Sequence, residues 1–233
     1  MKRALLAVLL LAACEKDHGA HIHREPPRVG DRVAYHTRYD SHLTAPDGTE
    51  HAGHAETSMT TEVLAVADRR IQRMRIIIDR DDHVFDGVPK PHLAGTYELT
   101  AAGELTRANG VAPTDYERSF FAAWHIGNDD SALAARELRA GDTVRPSPTE
   151  VVALGLPEAK GPWELHVKRA DNEAIVLTGD YEPVDSPPEV ESRATTTVTL
   201  TDQSRTHVTD LVITWNGKQV GGAHSTFELV PKR

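Results

Sequence analysis

The sequence predicts a mainly β (α+β) protein: an antiparallel curved sheet or half-barrel of two meanders, with two or three helices inserted between them. Three observations predict it. Apolar and polar residues alternate with a period of two on both sides of a window at residues 113–155. Clusters of Gly, Pro, Asn and Asp separate the alternating segments, as turns require. Inside the window the period changes, and Ser/Thr-x-x-Glu capping boxes stand ahead of helix-forming stretches. Strands that follow one another without intervening helices pair antiparallel.

Taken in order, the chain opens with Lys2 and Arg3, a short basic region, and then an apolar run from Leu5 to Leu11. A bilayer span needs about 20 apolar residues, so this run reads as a secretory leader over residues 1–13. It closes on Leu11-Ala12-Ala13-Cys14, and Cys14 is the only cysteine of the chain. Residues 15–28, "EKDHGAHIHREPPR", are polar and end in Pro26-Pro27, the composition of a flexible tether. The remainder, 29–233, reads as one β-rich domain, with no composition shift that marks a linker.

The first strands come from "VGDRVAYHTRYDSHL", the turn-rich "APDGTEHAG", and "ETSMTTEVLAVA", where Met59, Thr61, Val63 and Ala65 share one face. "IQRMRIIID" sets Met74, Ile76 and Ile78 on one side, and "GTYELTAAGELTRANG" reads as a hairpin turning at "AAG". "DRDDHVFDG" lacks the ligand spacing of an EF-hand loop, so an acidic turn between strands is expected at 79–87.

In the middle, Thr114 and Glu117 form one capping box, followed by a stripe at Tyr116, Phe120 and Trp124. "DDSALAARELRAGD" predicts a second helix over 129–142. "SPTEVVALG" predicts a third, with Ser147 as cap, Pro148 in the first helical position, Glu150 completing the box and Gly155 ending it.

The second meander is expected from "WELHVKR", with Trp163, Leu165 and Val167 on one face; from "EAIVLTGDYE"; and from "ATTTVTLTD", with Ala194, Thr196, Val198 and Leu200 on one face. "THVTDLVITWNG" and "QVGGAHSTFELV" meet at Asn216-Gly217, a hairpin signal. Gly30-Asp31 and Gly141-Asp142 each open a run of strands, which hints at a two-fold repeat.

Composition narrows the function. Removing Lys2 and Arg3 with the leader takes the 26 basic residues to 24 against 35 acidic ones, a net charge of −11 with histidines neutral. Such a balance argues against nucleic acid as a partner. One cysteine allows no internal disulfide, so stability must come from packing.

The Leu11–Cys14 motif resembles the lipobox of bacterial lipoproteins. That resemblance implies cleavage before Cys14, lipid attachment to its sulfur and acylation of the new amino terminus. Glu15, rather than Asp, after the cysteine implies the periplasmic face of the outer membrane under the enterobacterial sorting rule. The membrane is then a partner through lipidated Cys14. The layout of leader, strands, helices and strands is similar to that of periplasmic carriers of lipids and acylated proteins, and to β-rich envelope lipoproteins of unknown function. By that likeness Tyr116, Phe120, Phe121 and Trp124 would line an apolar cavity, although such a stripe is more commonly core.

The thirteen histidines offer a different reading. His18, His21 and His23 lie on the tether and His51 and His54 on the first loop. His-x-x-His and His-x-His spacings suit zinc or copper. A metal-binding lipoprotein is therefore the alternative, tested by whether His36, His42, His51 and His54 converge. Nucleophile-elbow, zinc-helix and phosphate-loop motifs are absent, and neither His125 nor His166 has a recognisable catalytic partner. The reading is of a non-enzymatic binding or structural module that needs no cofactor, with an apolar ligand or another envelope protein as its partner.

Overall fold

In a computed structural model, residues 20, 26–45, 47–122, 136–184, 190–202 and 204–232 are described. The first half runs β1 (Arg32–Thr44), β2 (Glu50–Ala67), β3 (Arg70–Phe85), β4 (Val88–Pro89), β5 (Gly95–Thr100), β6 (Leu105–Arg107) and α1 (Asp115–Ala122). The second half runs β7 (Thr143–Val144), α2 (Pro148–Leu154), β8 (Leu165–Ala170), β9 (Ile175–Tyr181), β10 (Glu191–Leu200), β11 (Arg205–Trp215) and β12 (Lys218–Lys232).

All twelve strands lie in one open antiparallel sheet, ordered β6-β5-β3-β2-β1-β12-β11-β10-β9-β8-β7, with β4 added beside β3. These are the two expected meanders, joined where the first and last strands pair, from Arg32↔Lys232 to Leu43↔Gly221. The sheet ends in strands of three and two residues, β6 and β7. Short edge strands offer little unpaired backbone to another chain.

The turns follow their residues. Asn216 and Gly217 both take positive φ (49° and 74°), the combination that a two-residue hairpin with right-twisting strands demands. The two Gly-Asp turns are built alike. Gly30 and Gly141 both have φ 93°. Asp31 accepts from the Arg28 amide at 2.7 Å and Asp142 from the Arg139 amide at 2.8 Å. Gly30 then donates to the Val63 carbonyl and Gly141 to that of Val167, each at 2.9 Å. The same device thus opens both meanders.

Both helices begin as the capping boxes predict. The Thr114 amide donates to Glu117 at 2.7 Å and the Ser147 amide to Glu150 at 2.7 Å; each glutamate amide donates back to the cap hydroxyl at 3.3 Å. Both glutamates are buried, and each is met by an arginine: Arg107 on Glu117 and Arg136 on Glu150.

Two separate cores occupy the same face of the sheet. The first gathers Met59, Met74, Ile76, Leu93, Tyr97, Leu99 and Phe121, with Tyr116 and Phe120 packed against it. The second gathers Val144, Leu154, Leu156, Trp163, Leu165, Val167, Ile175, Leu177, Val198 and Leu200. Ala20 and Leu138 belong to the second core and pair with each other as an isolated antiparallel bridge. Ala20, inside the segment expected as a tether, is therefore docked and 2% exposed. Between the cores, β1 contains no buried residue and β11 only His207.

Several expectations are corrected. The helix over 129–142 is absent from its described part: Leu138 pairs with Ala20 and Asp142 closes a turn on Arg139. The acidic turn at 79–87 is strand as far as Phe85, and only Asp86 and Gly87 turn, with φ 51° and 72°. Its buried acid, Asp81, is satisfied by the Thr57 hydroxyl at 2.5 Å and the Leu93 amide at 2.6 Å. Tyr116 and Phe120, the described part of the stripe on α1, pack on the first meander, because α1 follows β6 at that end of the sheet. It is α2 that covers Val198 and Leu200.

Candidate functional site

The central strands outrun both cores. On the face that carries the cores, the far ends of β1, β2, β3, β11 and β12 are bare, and a groove of about 220 Å³ lies there. Its floor is one cross-strand row, Phe85–Gly53–Ser41–Ala223–Leu211, set by the pairs Gly53↔Phe85, Ser41↔Gly53, Ser41↔Ala223 and Leu211↔Ala223. Three small residues form the middle of the row and a large apolar side chain closes each end. Tyr39 and Leu43, two residues either side of Ser41 and so on the same face, flank the slot, with Ile213 beyond.

The glycines are demanded by close approach. A Cβ on Gly53 would stand 2.5 Å from the Phe85 ring and 2.6 Å from the Ser41 hydroxyl. One on Gly221 would stand 2.5 Å from the His42 carbonyl oxygen, and one on Gly222 2.6 Å from that of Leu211. At this point β12 lies tight against both neighbours, as glycine within a strand permits.

The rim is polar. His51 Nδ1 meets Asp86 at 2.9 Å, and Asp86 also accepts from the Ala52 amide at 2.9 Å. The hydrogen bond to Asp86 raises the His51 ring above its ordinary range; the His51 ring and then the Ala52 amide hold the Asp86 carboxyl below its own. These contacts pin the β3–β4 turn, and with it Phe85, over the slot.

Toward the cores the same face carries an aromatic series. Tyr35 meets Phe227 edge-on at 5.9 Å, and Phe227 meets His207 at 5.5 Å. His207 is 6% exposed and its Nε2 has no hydrogen-bond partner. Burial, then the charge of Arg205, depresses its pKa to about 3, so the ring is neutral.

The predicted site residues fare unevenly. Phe121 is core, 2% exposed and 5.0 Å from the Tyr97 ring, and Phe120 stacks edge-on against it at 5.1 Å. Tyr116 also joins the first core, so these three side chains fill space and do not line the slot. Trp124 and His125 lie outside the described residues, as do Cys14, His18, His21 and His23. His51 and His54 are on β2, not on a loop, and an odd separation puts them on opposite faces of the strand. His54 binds Asp40 at 2.7 Å and His36 binds Ser58 at 2.8 Å on the outer face, while His51 and His42 border the slot. The four do not converge. Among the described residues no group of three or more His, Cys, Asp or Glu is placed to hold a metal ion. His166 is hydrogen-bonded to the Thr143 hydroxyl at 3.1 Å.

Sequence reasoning missed the slot because its floor is made of absences. The available signal was the run of small residues at Gly221-Gly222-Ala223 facing Ser41 and Gly53, which only the register brings together.

No family model matches this chain, and no curated protein matches it. Solved structures do. One is a lipovitellin structure concerned with lipid–protein interactions, 11% identical with a TM-score of 0.47, covering 88% of this chain and 25% of that one. Another is the S-type phycobiliprotein lyase CPES from Guillardia theta, 11% identical with a TM-score of 0.27, covering 88% of each chain. The chain thus spans about a quarter of the lipovitellin chain. Likenesses this distant carry no argument about activity.

Proposed function

We propose that this chain is an envelope lipoprotein, anchored through Cys14, whose slot at the far ends of the central strands takes a single acyl chain. The observation that carries the reading is the slot itself: a small-residue floor across three strands, closed by Phe85 and Leu211 and flanked by Tyr39 and Leu43. At about 220 Å³ it is smaller than the roughly 300–1,000 Å³ of drug-sized ligand pockets, which suits one narrow apolar group rather than a whole lipid. The one acidic group among its lining residues, Asp86, sits at the rim and is hydrogen-bonded to His51 at 2.9 Å. A membrane anchor, implied by the lipobox resemblance, would keep the slot close to a source of acyl chains. The chemistry asked of the site is burial alone, at about 0.8 kcal/mol per methylene, so the protein acts by binding and not by catalysis.

Displacement of a fluorescent fatty acid from the purified domain tests this. Ala223→Leu fills the floor without adding charge, and is expected to weaken binding about tenfold while leaving thermal stability within a few degrees. Binding unchanged by Ala223→Leu would rule the slot out as the site.

A further inference from the structure

The docked Ala20 says which edge of the domain meets the membrane. Its amide donates to the Leu138 carbonyl at 2.8 Å and its carbonyl accepts from the Leu138 amide at 3.3 Å, and both residues are buried in the second core. Three residues after Leu138, Gly141 bonds to Val167 of β8. The bridge is thus fastened at the β7–β8 edge of the sheet, beside α2.

We infer that this edge is the membrane-proximal surface of the protein, that its partner is a lipid bilayer, and that Ala20 is the strap that sets the orientation. The inference rests on the anchoring of Cys14 proposed above. Six peptide steps separate Cys14 from Ala20 and span at most about 22 Å. Undocked, the leash would run to Asp31 and let the domain tumble; docked, it holds one edge. The slot is floored on β2, β1 and β12, and from β8 to β1 is five strand spacings, about 24 Å at 4.8 Å each. The slot therefore stands off from the bilayer, and a chain entering it has to leave the membrane first.

The charge at this edge fits an orientation set by the strap and not by lipid heads. Arg145 pairs with Glu164 at 2.9 Å, Lys160 with Glu182 at 2.6 Å, and Arg169 with Glu173 at 2.9 Å. Lys168 on β8 is exposed and stands outside these pairs, but with three of the cations at this edge paired anionic lipid has little to grip, so orientation should not depend on lipid charge.

The test uses the full lipidated protein in phosphatidylcholine vesicles that carry an energy acceptor at the headgroup. With the Cys14 thiol acylated, Lys168→Cys on β8 and Val88→Cys on β4 each present one site for a donor dye. Energy transfer is expected to be at least twofold higher from position 168 than from position 88, and unchanged when phosphatidylglycerol is added. Ala20→Glu should reduce that difference by half or more. Equal transfer from the two positions, or higher transfer from position 88, in the protein with native Ala20 would overturn the inference while leaving the anchor standing. Protein that never floats with the vesicles would overturn the anchor, and this inference with it.

Discussion

Phe121 and Phe120 are adjacent on α1 and have different jobs. Phe121 is 2% exposed, against Tyr97, whereas Phe120 is only partly buried at the border of the same core. Phe121→Ala should cost about 3–5 kcal/mol, the usual price of a buried phenylalanine, and Phe120→Ala clearly less. Chemical denaturation of the two variants checks the order; equal losses would mean that the helix is rotated from the placement described. The sequence could show that α1 has an apolar stripe. It could not show that the deepest residue lies beside the stripe, because that depends on how an eight-residue helix tilts onto strands it is not bonded to. Glu117 shows the same limit. Its capping role was legible, since a glutamate three residues after Thr114 is a local pattern. The Tyr97 hydroxyl on it at 2.5 Å and the Arg107 guanidinium beside it were not, because β5 and β6 deliver them from distant positions in the chain.

At the scale of elements, what was legible was whatever is decided within a few residues. The hairpin at Asn216-Gly217, both capping boxes and the alternation of Ala194, Thr196, Val198 and Leu200, all buried in the structure, depend on local rules and stand. The helix over 129–142 fails in its described part because good helix propensity is a weak prior, and the pairing of Leu138 with Ala20 outweighs it. Strand β3 runs through "DRDDHVF" because its acids find partners: Asp81 the Thr57 hydroxyl and Asp79 the Thr60 hydroxyl on β2, and Asp82 the Arg80 guanidinium on β3 itself. Composition alone reads such a stretch as a turn. The slot was invisible because it is a property of register. The capping boxes support a prediction at this scale. Thr114→Ala and Ser147→Ala should each cost about 1 kcal/mol, but as changes in separate cores they should add in the double variant. A double variant that loses much more than the sum would show that the two cores are coupled through the central strands.

The whole molecule holds two cores on one sheet, and each has a buried titratable group beside it that opposes acid. Glu117, in the first, has its carboxyl held at about 2: burial alone would raise it, but the bonds from Arg107, Tyr97 and Thr114 outweigh burial. Its ordinary value is 4.5, so the stability it gives is whole above pH 4.5 and is lost as pH falls toward 2. His207, paired in register with Val198 of the second core, is depressed by burial from 6.5 to about 3. Here the unfolded chain takes up a proton below pH 6.5 that the folded chain refuses. Stability is therefore whole above pH 6.5 and declines continuously down to about pH 3, by something on the order of 4 kcal/mol. The raised His51 works in the opposite direction, losing its contribution as pH rises, but it is a solvent-exposed pair at the slot rim and its effect is small. The two windows differ, so acid should reach the two meanders in sequence. At pH 5, hydrogen exchange corrected for intrinsic rates should show β10 and β11 less protected than at pH 7, with β3 and β5 unchanged. His207→Leu should flatten the stability profile between pH 3 and pH 6.5 while leaving the loss below pH 4.5 that Glu117 causes. Retention of the full slope in that variant, or equal loosening of both meanders at pH 5, would show that burial of His207 is not what makes the second core sensitive to acid.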